Sequence, residues 1–197
     1  MEERGCDSIL RFDKEMKEIF NGENPIRKAI MGYYGELVVA NELKKLGFDN
    51  VIRKGNLTGY DLSVDNKKIE VRTSELKKER AFKKDMPAWG WKLQTNDRKG
   101  NPKEIKYDFI ILVKLENDWH NYQLFMFSKD EIESMKLSYF SGYQTVARVI
   151  YFFFNCLDKA IEYDERRKGD KMITEQCIEF NRNPNKYKPD WNKLKSN

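Results

Sequence analysis

The sequence is poor in the residues on which many enzymes depend. Its 197 residues include one histidine, His120, and three cysteines, Cys6, Cys156 and Cys177. A lone histidine excludes a His-rich metal site and a pair of catalytic histidines. The cysteines are odd in number and widely spaced. That argues against a disulfide framework or a zinc site, and for reduced thiols in a cytoplasmic protein. Long apolar runs are missing too. In the C-terminal half, Val149 to Leu157 is uncharged for only nine residues, against about 20 for a membrane-spanning helix. The charged start, Met1-Glu2-Glu3-Arg4, lacks the apolar stretch of a secretory signal. There is no glycine-rich phosphate loop of the Walker type, which argues against an NTPase. What remains for catalysis is carboxylates, amines, guanidinium groups, or a metal held by oxygen.

What is present is charge and aromatic bulk. Lys and Arg number 37 against 32 Asp and Glu, a net charge of +5. Hydrophobic residues make up 40% and aromatics 13%, enough to fill the core of one ordinary domain and too many for a disordered chain. We expect a single domain over residues 1–181, with a core of about 25–135, and a basic, extended tail over 182–197.

Periodicity outlines the elements. Asp7 to Phe20 reads as a helix through Ile9, Leu10, Phe12, Met16 and Ile19. A longer helix opens at Asn24-Pro25, closes at Gly47, and carries Glu36 at the edge of its apolar stripe. Val51–Arg53, Tyr60–Val64, Lys67–Thr73, Tyr107–Leu115 and Tyr122–Phe127 read as strands. The Phe109–Val113 run suits a strand buried on both faces. Ser128-Lys129-Asp130-Glu131 reads as a capping-box helix start. Thr145–Phe154 is expected as strand, Asn155–Arg167 as helix, and Ser74–Gly100 as irregular around a small island at Trp89–Leu93. The expected class is α/β, a mixed central sheet flanked by helices, with a helical N-terminus.

The chemistry gathers in one hairpin. If Asp65-Asn66 form a two-residue turn, Val64 pairs with Lys67, and Asp61 falls opposite Glu70. One face then carries Tyr60, Leu62, Val64, Ile69 and Val71, and the other Asp61, Ser63, Lys68, Glu70 and Arg72. A one-residue slip would bury the charges, so the apolar face sets the register. Two carboxylates with Cβ atoms about 5 Å apart repel each other unless something positive lies between them. Arg72 supplies part of that, and a divalent cation would supply more. Oxygen ligands suit Mg²⁺ or Mn²⁺. Glu36 offers a third carboxylate. The plainer reading is a surface hairpin with ordinary salt bridges from Glu70 to Arg72 or Lys68.

In order, Gly35-Glu36-Leu37, Gly59-Tyr60-Asp61 and Ile69-Glu70-Val71-Arg72-Thr73-Ser74 resemble the PD-(D/E)XK nuclease superfamily, the restriction-endonuclease-like fold. The resemblance spans about Tyr33 to Val113. It implies that Asp61 and Glu70 bind the metal and that Glu36 assists. Arg72 stands where the superfamily has a lysine that positions or activates the attacking water. An arginine stays charged and is no general base, though it can orient hydroxide and hold transition-state charge. Lys68 or Lys92 could supply an amine in its place.

Lys67 to Lys84 holds eight basic and three acidic residues. Lys68, Lys77, Lys78, Arg80, Lys83, Lys84 and Lys92 are therefore expected to hold phosphates, although a solvated charge run is the bland alternative. Trp89, Trp91 and Tyr187 could stack on bases, but burial is the commoner use of such rings. The expected function is Mg²⁺-dependent cleavage of DNA phosphodiesters. The subclass expected is a type II restriction-endonuclease-like enzyme, for which a homodimer is a plausible form. The alternatives are a Holliday-junction resolvase-like or repair nuclease, and a non-catalytic DNA-binding subunit with a degenerate site.

Overall fold

A computed structural model describes residues 25–54, 59–77, 85–97, 101–116, 119–136, 146–166 and 172–195. The expected helix at Asp7–Phe20 lies outside them, as does most of the Gly55–Gly59 connection. Helix α1 spans Pro25–Lys45, with proline at its first position, where a missing N–H costs nothing. Gly47 closes it in the left-handed region at φ +85°. Its N–H reaches the Lys44 carbonyl at 3.0 Å and that of Phe48 reaches Leu43 at 3.1 Å, which is a Schellman closure.

The strands follow as β1 (Val51–Arg53), β2 (Leu62–Val64), β3 (Lys67–Glu75), β4 (Ala88–Thr95), β5 (Phe109–Leu115) and β6 (Tyr122–Ser128). Then come helix α2 (Lys129–Ser134), strand β7 (Val146–Phe153) and helices α3 (Leu157–Arg166) and α4 (Glu175–Arg182). Five strands form a mixed sheet in the order β1-β2-β3-β5-β6. Only β3 and β5 run parallel there. Asp65 and Asn66, at φ 44° and 70°, make the two-residue turn, and Val64 pairs with Lys67 as expected. Both residue types tolerate the left-handed region that this turn demands. Ser128 caps α2 with the reciprocal Glu131 contact of a capping box.

Every residue of β5 is buried, and its alternation divides the core. Phe109, Ile111, Val113 and Leu115 pack with Val39 and Leu43 of α1 and with the hairpin's Leu62, Val64, Ile69 and Val71. Ile110 and Leu112 pack in a second cluster with Trp89, Trp91, Phe125, Phe127 and Phe180. The sheet is therefore covered on both faces, as a strand apolar on both sides requires.

Three expectations need correction. The Ser74–Gly100 stretch is not irregular throughout, because it contains β4, which pairs antiparallel with β7 as a separate two-stranded sheet. Its partner lies more than fifty residues downstream, so no local signal announces the pairing. Helix α4 has no counterpart among the expected elements. It is held through Phe180, fully buried and 4.8 Å from the Phe125 ring centroid. The basic C-terminal tail is not extended. Pro184–Tyr187 and Trp191–Leu194 form 3-10 turns. Leu194 is fully buried, and Tyr187 packs against Phe127 at 4.8 Å. Apolar anchors every few residues fold a basic segment onto the domain despite its charge.

Candidate active site

Gly35 brings α1 unusually close to the sheet. A Cβ there would lie 1.8 Å from Thr73 Oγ1, so only glycine lets the helix backbone rest on β3. The next residue, Glu36, is thereby held over the hairpin end of the sheet. Its carboxylate forms an ion pair with Arg53 of β1, whose guanidinium lies 4.4 Å above the Tyr33 ring.

Asp61 stands just before the first residue of β2. Its backbone N–H donates to the Ile69 carbonyl at 2.9 Å, and its own carbonyl accepts from Lys54 N–H at 2.8 Å. The Oδ2 atom accepts from Val71 N–H at 2.7 Å. The regular pairing with β3 ends at Leu62–Ile69. Asp61 is thus not a plain ladder partner of Glu70. Its side chain takes over the role of strand acceptor, which fixes one carboxylate oxygen and leaves the other available.

Glu70, in the middle of β3, is 6% exposed. Burial pushes its carboxyl up to about 7 against the pull of Arg72, and the nearby charges of Asp61 and Glu36 push the same way. Arg72 Nη2 lies 2.5 Å from Glu70 Oε1, with half of the arginine side chain in solvent. Arg72 is thus in direct contact with Glu70, while Asp61 and Glu36 act on it through their charge. Coupling alone does not assign their roles.

Glu70 and Arg72 line a cleft of about 620 Å³, and Lys92 of β4, Lys103 and Lys106 stand along its wall. Tyr107 closes one side, donating its hydroxyl to the Leu93 carbonyl at 2.7 Å. Burial, then the Glu70 charge, raises that phenol's pKa, so it stays protonated.

The remaining candidates divide. Lys92 is brought to the cleft from a separate sheet, whereas Lys68 projects exposed from β3 outside that cleft. Lys77 is exposed and bridges through its backbone to Ala88. Lys78, Arg80, Lys83 and Lys84 lie outside the described residues. Trp89 and Trp91 are buried, so neither is available to stack on a base. Cys177 is fully buried, its thiol pushed up to about 12, and His120 is exposed. Sequence reasoning misses Lys103, Lys106 and Tyr107 as cleft residues. Their only sequence signal is alternation with apolar residues immediately before β5.

The donor set suits a hard divalent cation. Glu70 and Asp61 are oxygen donors whose charges repel, and Mg²⁺ is commonly held by one or two carboxylates with water completing its shell. Among the described residues, no group of three or more His, Cys, Asp or Glu side chains is close enough to hold a metal ion by itself. Arg53 and Arg72 draw Glu36 and Glu70 into ion pairs. An ion at Asp61 and Glu70 would loosen the Arg72 contact and take over its charge compensation.

Among the described residues, no helix is long and apolar enough to cross a membrane. No protein-family model matches the chain. No curated protein matches it either. Among solved structures, a bacterial homing endonuclease is similar at 17% identity and a TM-score of 0.41, over 80% of this chain and 95% of that one. A likeness so distant carries no argument about this chain's activity.

Proposed function

We propose that this protein is a Mg²⁺- or Mn²⁺-dependent DNA endonuclease that hydrolyses phosphodiester bonds, with a type II restriction-endonuclease-like action. One observation carries the reading: a carboxylate buried in the sheet, Glu70, its pKa raised to about 7 by that burial, at a cleft walled by Arg72, Lys92, Lys103 and Lys106. Burying a carboxylate costs a fold desolvation, and acids with strongly raised pKa values in clefts concentrate at functional sites.

Asp61 and Glu70 would hold the ion, which when bound supplies Lewis-acid activation of a phosphoryl oxygen and a more acidic water. Val71 N–H keeps Asp61 oriented. Arg72, half exposed beside Glu70, orients the attacking water and offsets charge developing on the phosphate. Glu36 assists from α1 through the water shell. Lys92 meets a neighbouring phosphate from β4, and Lys68 and Lys77 extend the basic surface. Cleavage of both strands in one encounter would use two copies of a one-site chain, which a homodimer supplies.

The test is nicking of supercoiled plasmid, and of duplex, branched and single-stranded oligonucleotides, with and without Mg²⁺. Wild type should cut only with the metal, and the substrate preferred would separate a restriction-like enzyme from a resolvase or repair nuclease. Asp61→Asn keeps an acceptor for Val71 N–H, so it should fold normally and lose cutting. Cutting by Asp61→Asn at the wild-type rate, or cutting in EDTA, overturns the assignment.

The Arg72–Glu70 ion pair favours a second reading, a DNA-binding subunit whose acid is neutralised by its own neighbour. Under that reading, wild type and Arg72→Lys both bind DNA and neither cuts.

A further inference from the structure

Beside the acid cleft lies a second groove of about 310 Å³, and Ile105, Lys106 and Tyr107 form part of the wall of each. Three ammonium groups border this second groove from three separate elements. Lys68 comes from β3, Lys106 from the segment before β5, and Lys129 from the start of α2. All three belong to stretches that only the tertiary fold brings together.

Two acids, Glu104 and Asp108, line it with them and offset part of that charge. Asp108 Oδ2 accepts from the Lys68 backbone N–H at 2.7 Å, and Glu104 is exposed at the rim. Lys129 has only a loose, exposed contact with Glu133 at 3.8 Å. Lys68 Nζ lies 5.7 Å from the Tyr60 ring centroid, and among the described residues neither Lys68 nor Lys106 has a side-chain ion pair. Lys106 also runs its stem beneath Gly59, where a Cβ would lie 3.0 Å from its Cδ. Three lysines against the two carboxylates of Glu104 and Asp108 leave the groove's lining net positive, so it attracts a further anion.

We infer that this groove binds the DNA phosphate backbone next to the phosphate in the acid cleft, with Lys106 crossing between them and Lys68 and Lys129 beyond. This rests on the nuclease reading for what occupies the first cleft, but it requires only that the protein bind duplex DNA. Ammonium groups on flexible stems hold phosphates as point charges without reading bases. The groove therefore contributes register and affinity, not sequence preference.

Salt-dependent binding tests it, measured in EDTA on two duplexes of unrelated sequence. Log affinity against log salt should become shallower by about 0.9 for each phosphate that a variant no longer neutralises. Lys129→Gln alone, and Lys106→Gln with Lys129→Gln, should weaken both duplexes equally and flatten the slope. Replacing both lysines by arginine should restore it. Lys44→Gln, at the exposed far end of α1, removes the same unit of charge and should leave the slope unchanged. Slopes for the groove variants equal to that of Lys44→Gln overturn the inference, as does failure of wild type to bind either duplex. Flattened slopes in a protein that never cuts would leave this groove standing and remove the nuclease reading. Unchanged slopes in a protein that cuts would do the reverse.

Discussion

Glu70 and Arg72 stand two residues apart on β3, joined at 2.5 Å, the carboxylate buried and the guanidinium half in water. The pair joins the interior of the sheet to the cleft. Its two ends respond differently to substitution.

Arg72→Ala should reduce cleavage by about 10² or more, the scale for removing one preorganised transition-state interaction. DNA affinity should fall only modestly, since one cation among many is removed. Arg72→Lys keeps a charge at the same station and should preserve or raise cleavage. Rates of the three proteins at fixed salt decide this. Wild-type cleavage by Arg72→Ala would refute a catalytic role.

Glu70 predicts an unusual pH dependence of stability in the metal-free protein. Its carboxyl is raised from 4.5 to about 7 on folding. The native state therefore holds a proton that the unfolded chain has released between those values, and stability falls as pH rises through that window. The contribution is at most on the order of 3 kcal/mol. Glu70→Gln removes this dependence. Its melting temperature should gain on wild type from pH 5 to pH 8, and a difference that stays constant over that range would contradict the burial argument.

Mg²⁺ should act on the same quantity. At pH 8, a saturating concentration should raise the melting temperature of wild type, because a ligand bound only to the native state stabilises it by mass action. Asp61→Asn and Glu70→Gln should show little or no rise. An equal rise in all three would place the ion elsewhere.

Gly35→Ala should destabilise the fold by about 1–3 kcal/mol, the usual range for overpacking. The added Cβ meets Thr73 Oγ1 at 1.8 Å, and with Thr73→Ala its nearest contact relaxes to 3.0 Å at the Thr73 Cβ. A double-mutant cycle should accordingly show partial rescue by Thr73→Ala. Additive losses would mean that α1 shifts freely off the sheet.

Leu194→Ala should lower stability by about 2–5 kcal/mol, as for other large-to-small changes at buried sites. The residue is fully buried although only three from the C-terminus. No measurable change in denaturant unfolding would show that the C-terminal turns are not part of the folding unit.

Much of the fold was legible in the sequence because local chemistry determines it. Asp65-Asn66 tolerate left-handed backbone, and apolar alternation on either side leaves one register that buries Leu62, Val64, Ile69 and Val71 together. Gly47 ends α1, Ser128 and Glu131 start α2, and the unbroken apolar run of β5 requires cover on both faces. Glu70 and Arg72 share a face by that same alternation, whereas Asp61 lies beyond the paired residues and is set by its contact with Val71 N–H. What lies between distant segments was decided only by the tertiary structure. The pairing of β4 with β7 draws Lys92 to the cleft, Gly35 seats Glu36 through its contact with Thr73, and Phe180, Tyr187 and Leu194 fold the basic C-terminus onto the core. The two grooves meet at Lys106 for the same reason. Periodicity reports which side of an element is buried. Which element buries it depends on packing across the whole chain, and a local pattern carries no record of that choice.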